Sequence, residues 1–240
     1  MKQTVTILQL YPRDMNIYGD WGNTLTLKRR LEWRGYDVNL REYNPGDSFP
    51  DDIDMIVGGG GQDSGQARIG DDLLKIGPTL KRLADEGMPM LVICGLYQQF
   101  GRFFKTNGGD IIKGIDILDV ETYGSDTRMI GNIITRSNEF GDIIGYENHS
   151  GQTTLGQAAT PLARVVLGAG NNDHDSHEGA RYKNVIGSYL HGSLLPKNPE
   201  IADFLIACVL KRKFDSELVP LTLATDYTEP ARHNAMKRPR

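Results

Sequence analysis

Four short apolar runs, each closed by glycine or by a side chain able to do chemistry, constrain this chain more than any other feature. Residues 5–10 end at Tyr11-Pro12, and residues 53–57 are stopped by Gly58, Gly59, Gly60 and Gly61. Residues 90–93 run straight into Cys94, and residues 185–190 end at His191. Runs of this length and composition are strands covered on both faces. Helical patterns lie between and after them. Asn23 is placed to cap a helix to about Arg34, with Leu27 and Leu31 on its inner face and Gly35 closing it. Pro78 reads as the start of a helix to Glu86, with Gly87 beyond its end. Helical segments are also expected over 97–104 and 199–211, and an alternating strand over 37–43. Strands and helices alternating in this way specify an α/β fold, a mainly parallel sheet with helices on both faces. The carboxyl ends of parallel strands share one edge, so the glycine run, Cys94 and His191 are expected to converge there.

Residues 106–170 change character, with glycines separating short β-branched runs at 115–122, 132–135, 143–146 and 163–167. These read as short strands, some antiparallel. Residues 171–184 are polar and read as a surface loop. No linker divides the chain, so residues 1–223 are read as a single domain and 224–240 as a polar, loosely held tail. The chain has 240 residues and a formal net charge of -4. That length supports a core without a disulfide or metal staple. The acid balance argues against nucleic acid as the main partner and offers no polybasic attraction to a membrane. The two cysteines form no CxxC pattern, and no signal-like or membrane-spanning apolar run occurs, so a cytoplasmic location is expected.

Cys94 stands between a buried strand and a helix start, a turn that lifts a side chain clear of the sheet. A helix N-terminus there favours the thiolate. Gly95 N–H would lie beside an oxyanion formed at that point. A buried packing role is the alternative for any free cysteine, and Cys208, mid-helix among apolar residues, is its example. His191 at the neighbouring strand end completes the minimum for thiolate chemistry; a structural histidine is the alternative. The glycine run lacks the Gly-Lys-Ser/Thr of a phosphate loop and fits an oxyanion-lining turn, with Gly60 as its candidate donor. Arg128 is a candidate fork for a substrate carboxylate. Glu147 and His149 alternate along one strand and are expected on one side of it. Asp173, His174, Asp175, His177 and Glu178 resemble a metal-ligand cluster in composition, but their polar, turn-rich setting favours a solvated loop, and no metal is expected.

The segments Ile93-Cys94-Gly95-Leu96-Tyr97-Gln98, Gly145-Tyr146-Glu147-Asn148-His149-Ser150-Gly151 and Gly187-Ser188-Tyr189-Leu190-His191-Gly192 resemble the cobyric-acid-synthase-type class I glutamine amidotransferases. Asp20-Trp21-Gly22-Asn23, the glycine run, Gly170-Asn171-Asn172-Asp173 and Leu195-Pro196-Lys197-Asn198 extend the similarity to about residue 215. Within that family the pattern is most similar to the glutaminase subunits of lipid II isoglutaminyl synthase. The resemblance implies a flavodoxin-like glutaminase domain acting on L-glutamine. Cys94 would be the nucleophile, His191 the base, Arg128 the substrate-binding residue, and Gly60 and Gly95 the oxyanion hole. It also implies a heterodimer with a Mur-ligase-like, ATP-dependent subunit of MurT type. That partner would hold ATP and Mg²⁺ and amidate the D-glutamate α-carboxylate of lipid II, which could bring the pair to the inner face of the membrane. No cofactor is expected in this chain. Ordinary class I amidotransferases carry a Glu two residues after the His; Ser193 stands there. The site would then work as a dyad or take its third group from elsewhere, the partner being one source. Three rivals are an amidotransferase for another acceptor such as a corrin carboxylate, a Cys-elbow hydrolase of another family, and a silent partner-binding subunit.

Overall fold

The computed structural model describes residues 2–223 and 227–238. The first sheet is built from β1 (Thr4–Leu10), β2 (Asp37–Tyr43), β3 (Met55–Gly58), β4 (Met90–Ile93), β11 (Ala180–Tyr182) and β12 (Val185–Ser188). Their order is β11-β12-β4-β3-β1-β2, parallel throughout except for β11. Every residue of β3, β4 and β12 is buried, so both faces of the sheet centre are covered. The chain turns one way from β1 to β2 and the other way from β1 to β3. This is the flavodoxin-like order, and it opens a crevice beyond the carboxyl ends of β1 and β3.

Helix α1 (Trp21–Trp33) links β1 to β2 and packs against α4 (Leu194–Lys197) and α5 (Pro199–Phe214). Asn23 does not cap α1. It lies inside the first turn, and its Oδ1 accepts Leu195 N–H at 2.9 Å, fastening α4 to α1. Helix α2 (Asp63–Asp85) is 23 residues long and contains Pro78 in its interior. The helix expected to begin at Pro78 therefore begins fifteen residues earlier. Ile69, Leu73, Ile76, Leu80 and Leu83 form one continuous buried stripe that outweighs the proline's missing donor. Gly77 belongs to the packing, since a Cβ on it would lie 2.8 Å from Ile115 Cγ2. Helix α3 (Gly95–Phe100) ends before the expected 104, because Gly101 is extended and residues 103–105 form a strand.

The second sheet comprises β5 (Phe103–Lys105), β6 (Ile111–Lys113), β7 (Val120–Ser137), β8 (Gly141–Leu155), β9 (Ala163–Leu167), β10 (His177–Glu178) and β13 (Leu190–His191). Of the expected short strands, 163–167 is β9 as read, and of 115–122 only 120–122 is strand, the start of β7. The expected strands 132–135 and 143–146 lie within β7 and β8, of 18 and 15 residues, paired antiparallel. Their register shifts between Gly124 and Met129. The sequence breaks in β7 are bulge and glycine positions within one strand, not ends. The 171–184 segment is not a simple surface loop: it supplies β10 and β11 and buries Asn171, Asn172 and Glu178. After β12 the chain leaves the first sheet at the fully buried Tyr189 and enters the second as β13, which pairs with β8.

The tail differs from the loosely held reading. Residues 228–236 form α6 (Thr228–Met236), docked by Arg232, whose guanidinium donates to Asn198 Oδ1 at 3.1 Å, to Asp142 O at 2.7 Å and to Lys197 O. The expected boundary at 224 lies outside the described residues. Among the described residues no helix is long and apolar enough to cross a membrane.

Candidate active site

Cys94 closes β4 with φ 51° and ψ -104°, a conformation that costs about 1–3 kcal/mol for a residue with a side chain. The turn is held from both sides: Cys94 N–H donates to Ser188 O at 2.8 Å and Cys94 O accepts Gln98 N–H at 2.9 Å. The strain lifts the thiol off the sheet at the start of α3. Gly95 cannot carry a side chain, since a Cβ would lie 2.6 Å from Gln66 Nε2, 2.8 Å from Met15 Cε and 3.1 Å from Gly61 N. Gly60 is equally confined: a Cβ there would lie 2.7 Å from His191 Cε1 and 3.0 Å from Cys94 Cβ. The glycine run, Cys94 and His191 do converge at the crevice.

His191 is fully buried. Its Nδ1 faces Asp20 Oδ2 and Oδ1 at 3.3 and 3.4 Å, its Nε2 is buried without a partner, and the edge of Tyr18 meets its ring at a centroid separation of 5.0 Å. Burial alone would lower its pKa. The opposing charges of Cys94 and Asp20, with their hydrogen bonds, outweigh burial and push it up to about 10. The imidazole therefore holds its proton at neutral pH. Cys208 lies on α5, where burial pushes its thiol up to about 11.

Gly60 N–H, expected to face an oxyanion, donates to Asp20 Oδ2 at 2.8 Å instead. Among the described residues, no acceptor within the chain engages Gly61 N–H or Gly95 N–H. Those two amides, whose backbones abut, are free to meet an oxyanion. Asp20 itself was not singled out as a site residue in the sequence, because it sits in a polar stretch with no period. Its segment, Asp20-Trp21-Gly22-Asn23, was the available signal.

A cleft of about 350 Å³ opens in front of Cys94. Its walls include Tyr18, Gln98, Arg128, Asn148 and His149. Arg128 stands at the register shift of β7, exposed, and its Nε donates to Asn148 Oδ1 at 2.7 Å. Asn148 Nδ2 in turn donates to Tyr18 Oη at 2.8 Å. Two buried amides floor the cleft: Gln66 Nε2 donates to Gln98 Oε1 at 2.7 Å, and Gln98 Nε2 to Tyr189 Oη at 3.1 Å. Glu147 and His149 lie on the same buried face of β8, as their alternation indicates. Their tasks differ. Glu147 accepts Ala169 and Gly170 N–H at 2.9 and 2.8 Å, whereas the His149 ring stacks on Tyr189 at 3.5 Å. Burial, reinforced by the charge of His191, lowers His149 to about 3 despite the Gly151 carbonyl on its Nδ1, so this ring stays neutral. The 173–178 histidines point elsewhere: His177 Nδ1 lies 3.6 Å from Asp175 Oδ2. No group of three His, Cys, Asp or Glu side chains suited to a metal occurs among the described residues.

Residues 6–199 match the CobB/CobQ-like glutamine amidotransferase domain. The chain belongs to that family. This amidotransferase is 40% identical over 210 residues to the lipid II isoglutaminyl synthase (glutamine-hydrolyzing) subunit GatD of Staphylococcus aureus, spanning 87% of this chain and 86% of that one. It is 36% identical to the GatD of Streptococcus pneumoniae, over 89% of this chain and 84% of that one. A probable cobyric acid synthase of Methanothermobacter thermautotrophicus is 31% identical, but only 33% of its length is covered. Among solved structures, a glutamine amidotransferase superposes with a TM-score of 0.58 at 13% identity, covering 84% of this chain and 98% of that one. Another, from Thermotoga maritima, gives 0.51 at 14% identity, covering 97% and 86%. The amidotransferase fold is thus shared well beyond detectable sequence similarity.

Proposed function

We propose that this amidotransferase is the glutaminase subunit of a lipid II isoglutaminyl synthase. The observation that carries the chemistry is the convergence of Cys94 and a proton-holding His191 on one glycine loop at the floor of an open cleft. The observation that carries the acceptor is similarity to GatD chains over most of both chains. A cobyric acid synthase matches at the lower identity of 31% over 170 residues, which favours the GatD reading over a corrin acceptor.

Glutamine would enter with its α-carboxylate toward Arg128. The Cys94 thiolate attacks the carboxamide carbon, a C–S bond forms, and the carbonyl π electrons move to oxygen. Gly61 and Gly95 N–H stabilise that oxyanion. His191 gives its proton to the nitrogen, the C–N bond breaks and ammonia leaves. Water then attacks the thioester while His191 takes its proton. The C–S bond breaks, glutamate departs and the thiolate is restored. Ammonia would pass to a Mur-ligase-like, ATP-dependent subunit of MurT type, where ATP and Mg²⁺ activate the D-glutamate α-carboxylate of the peptidoglycan precursor. A lipid-borne substrate on that partner would bring the heterodimer to the membrane face.

The test is glutamate and ammonia release from glutamine by the purified chain, with and without the ligase subunit. Cys94→Ala should abolish release, and Cys208→Ala should leave it within about twofold. A glutamine-analogue electrophile should label Cys94 and spare Cys208. Full activity in Cys94→Ala would discard the thiolate mechanism.

A further inference from the structure

The position two residues after His191 holds Ser193, which cannot orient an imidazole as a carboxylate does. The structure brings a carboxylate to His191 from the other end of the chain. Asp20 is 1% exposed, and among the described residues the only basic group within ion-pair distance of it is His191. We infer that Asp20 is the positioning residue for His191, fixing its Nδ1–H so that Nε2 is turned to the sulfur, and that this chain therefore carries its own third group. The inference rests on the glutaminase reading above.

Three further observations support it. Asp20 occupies the N-cap of α1 but does not cap it, although an Asp in that place contributes about 1 kcal/mol when it does. Asn16 Oδ1 takes Trp21 N–H at 2.8 Å instead, leaving the Asp20 carboxylate to His191 and to Gly60 N–H. The segment that delivers Asp20 is held at several points. Ile17 N–H donates to Gly60 O at 3.0 Å, and Tyr18 sits at φ 56° and ψ 20° with its hydroxyl held by Asn148. Strained backbone persists only where its surroundings over-determine it. Ser193, at the position where ordinary class I amidotransferases carry a Glu, donates its Oγ–H to Gly19 O at 2.8 Å. The residue that stands in for the missing acid thus fastens the segment bearing the acid that is present. One carboxylate then serves two parts of the site, steering the histidine through one edge and the oxyanion loop through Gly60.

The experiment compares wild type with Asp20→Asn and Asp20→Ala in the complex with the ligase subunit. It reads kcat and KM for glutamine across pH, the melting temperature, and the pH profile of Cys94 alkylation by chloroacetamide. The charged or titratable groups around His191 are Cys94, Asp20, the Tyr18 ring and His149, with Lys197 acting on Asp20. Asp20→Asn keeps an acceptor for Gly60 but turns an amide toward Nδ1. Its kcat should fall about a hundredfold or more with KM within about twofold. The alkylation inflection that belongs to His191 should move to lower pH, with the melting temperature held. A wild-type kcat and alkylation profile in Asp20→Asn would overturn the inference. So would a loss confined to KM or melting temperature, which is what a structural role would give. If wild type released no ammonia from glutamine, the glutaminase reading would fall. The alkylation profile would still decide on Asp20, since it requires only the thiol and the imidazole.

Discussion

At the scale of single residues, the site is a packing problem solved with glycine. A methyl group at position 60 would collide with His191 Cε1, and no rotamer of an alanine avoids it. Gly60→Ala should therefore lower kcat at least about a hundredfold by displacing the base, with about 1–3 kcal/mol lost in stability from overpacking. Steady-state kinetics and urea melts on the same sample check both. Cys94 and His191 were legible in the sequence because each closes an apolar run, and strand ends in a parallel sheet share an edge. Asp20 was not, because its partner is 171 positions away and the contact exists only once the segment after β1 folds back across the end of β12. Nor could four consecutive glycines reveal which amide donates to that carboxylate. The choice between Gly60 and Gly61 is made by the path of residues 16–20.

At the scale of elements, β1, β3 and β4 were legible because runs buried on both faces leave no ambiguity of period, and β2 was legible from its alternation. The start of helix α2 is not legible from its proline, which looks the same at a first turn and in an interior, and only the buried stripe from Ile69 decides. β7 and β8 were read in pieces because glycines and polar residues interrupt them where the sheet bends, while pairing continues. The 171–184 stretch hid a buried acid. Glu178 Oε1 accepts Ser188 Oγ–H and Tyr189 N–H at 3.1 and 2.8 Å, joining β10 to the chain where it changes sheets, and Oε2 is buried without a partner. Burial, helped by the nearby Glu147, pushes Glu178 up to about 8 against the two hydrogen bonds. The folded state then binds this proton more tightly than the unfolded chain. Its contribution is complete below about pH 4.5 and declines as pH rises toward about 8. Glu178→Gln keeps the acceptor and removes the titration, so melts between pH 5 and 9 should show wild type losing stability over that window and the variant losing less. Parallel curves would place the proton elsewhere.

At the scale of the whole molecule, the two sheets are joined at Tyr189 and braced from behind by α6. Arg232 satisfies three acceptors on two separate stretches, one at Asp142 and the other at the adjacent Lys197 and Asn198. Arg232→Ala removes all three donated bonds, at a cost of about 1–3 kcal/mol, which for a chain of this size lowers the melting temperature by several degrees. Proteolysis within α6, residues 228–236, should accelerate in parallel; an unchanged melt and cleavage pattern would show that α6 contributes nothing to the body. The jump from β12 to β13 has a mechanical corollary. The sulfur is mounted on the end of one sheet and the imidazole on the margin of the other, so their spacing behaves like the opening of a pair of calipers whose pivot is Tyr189.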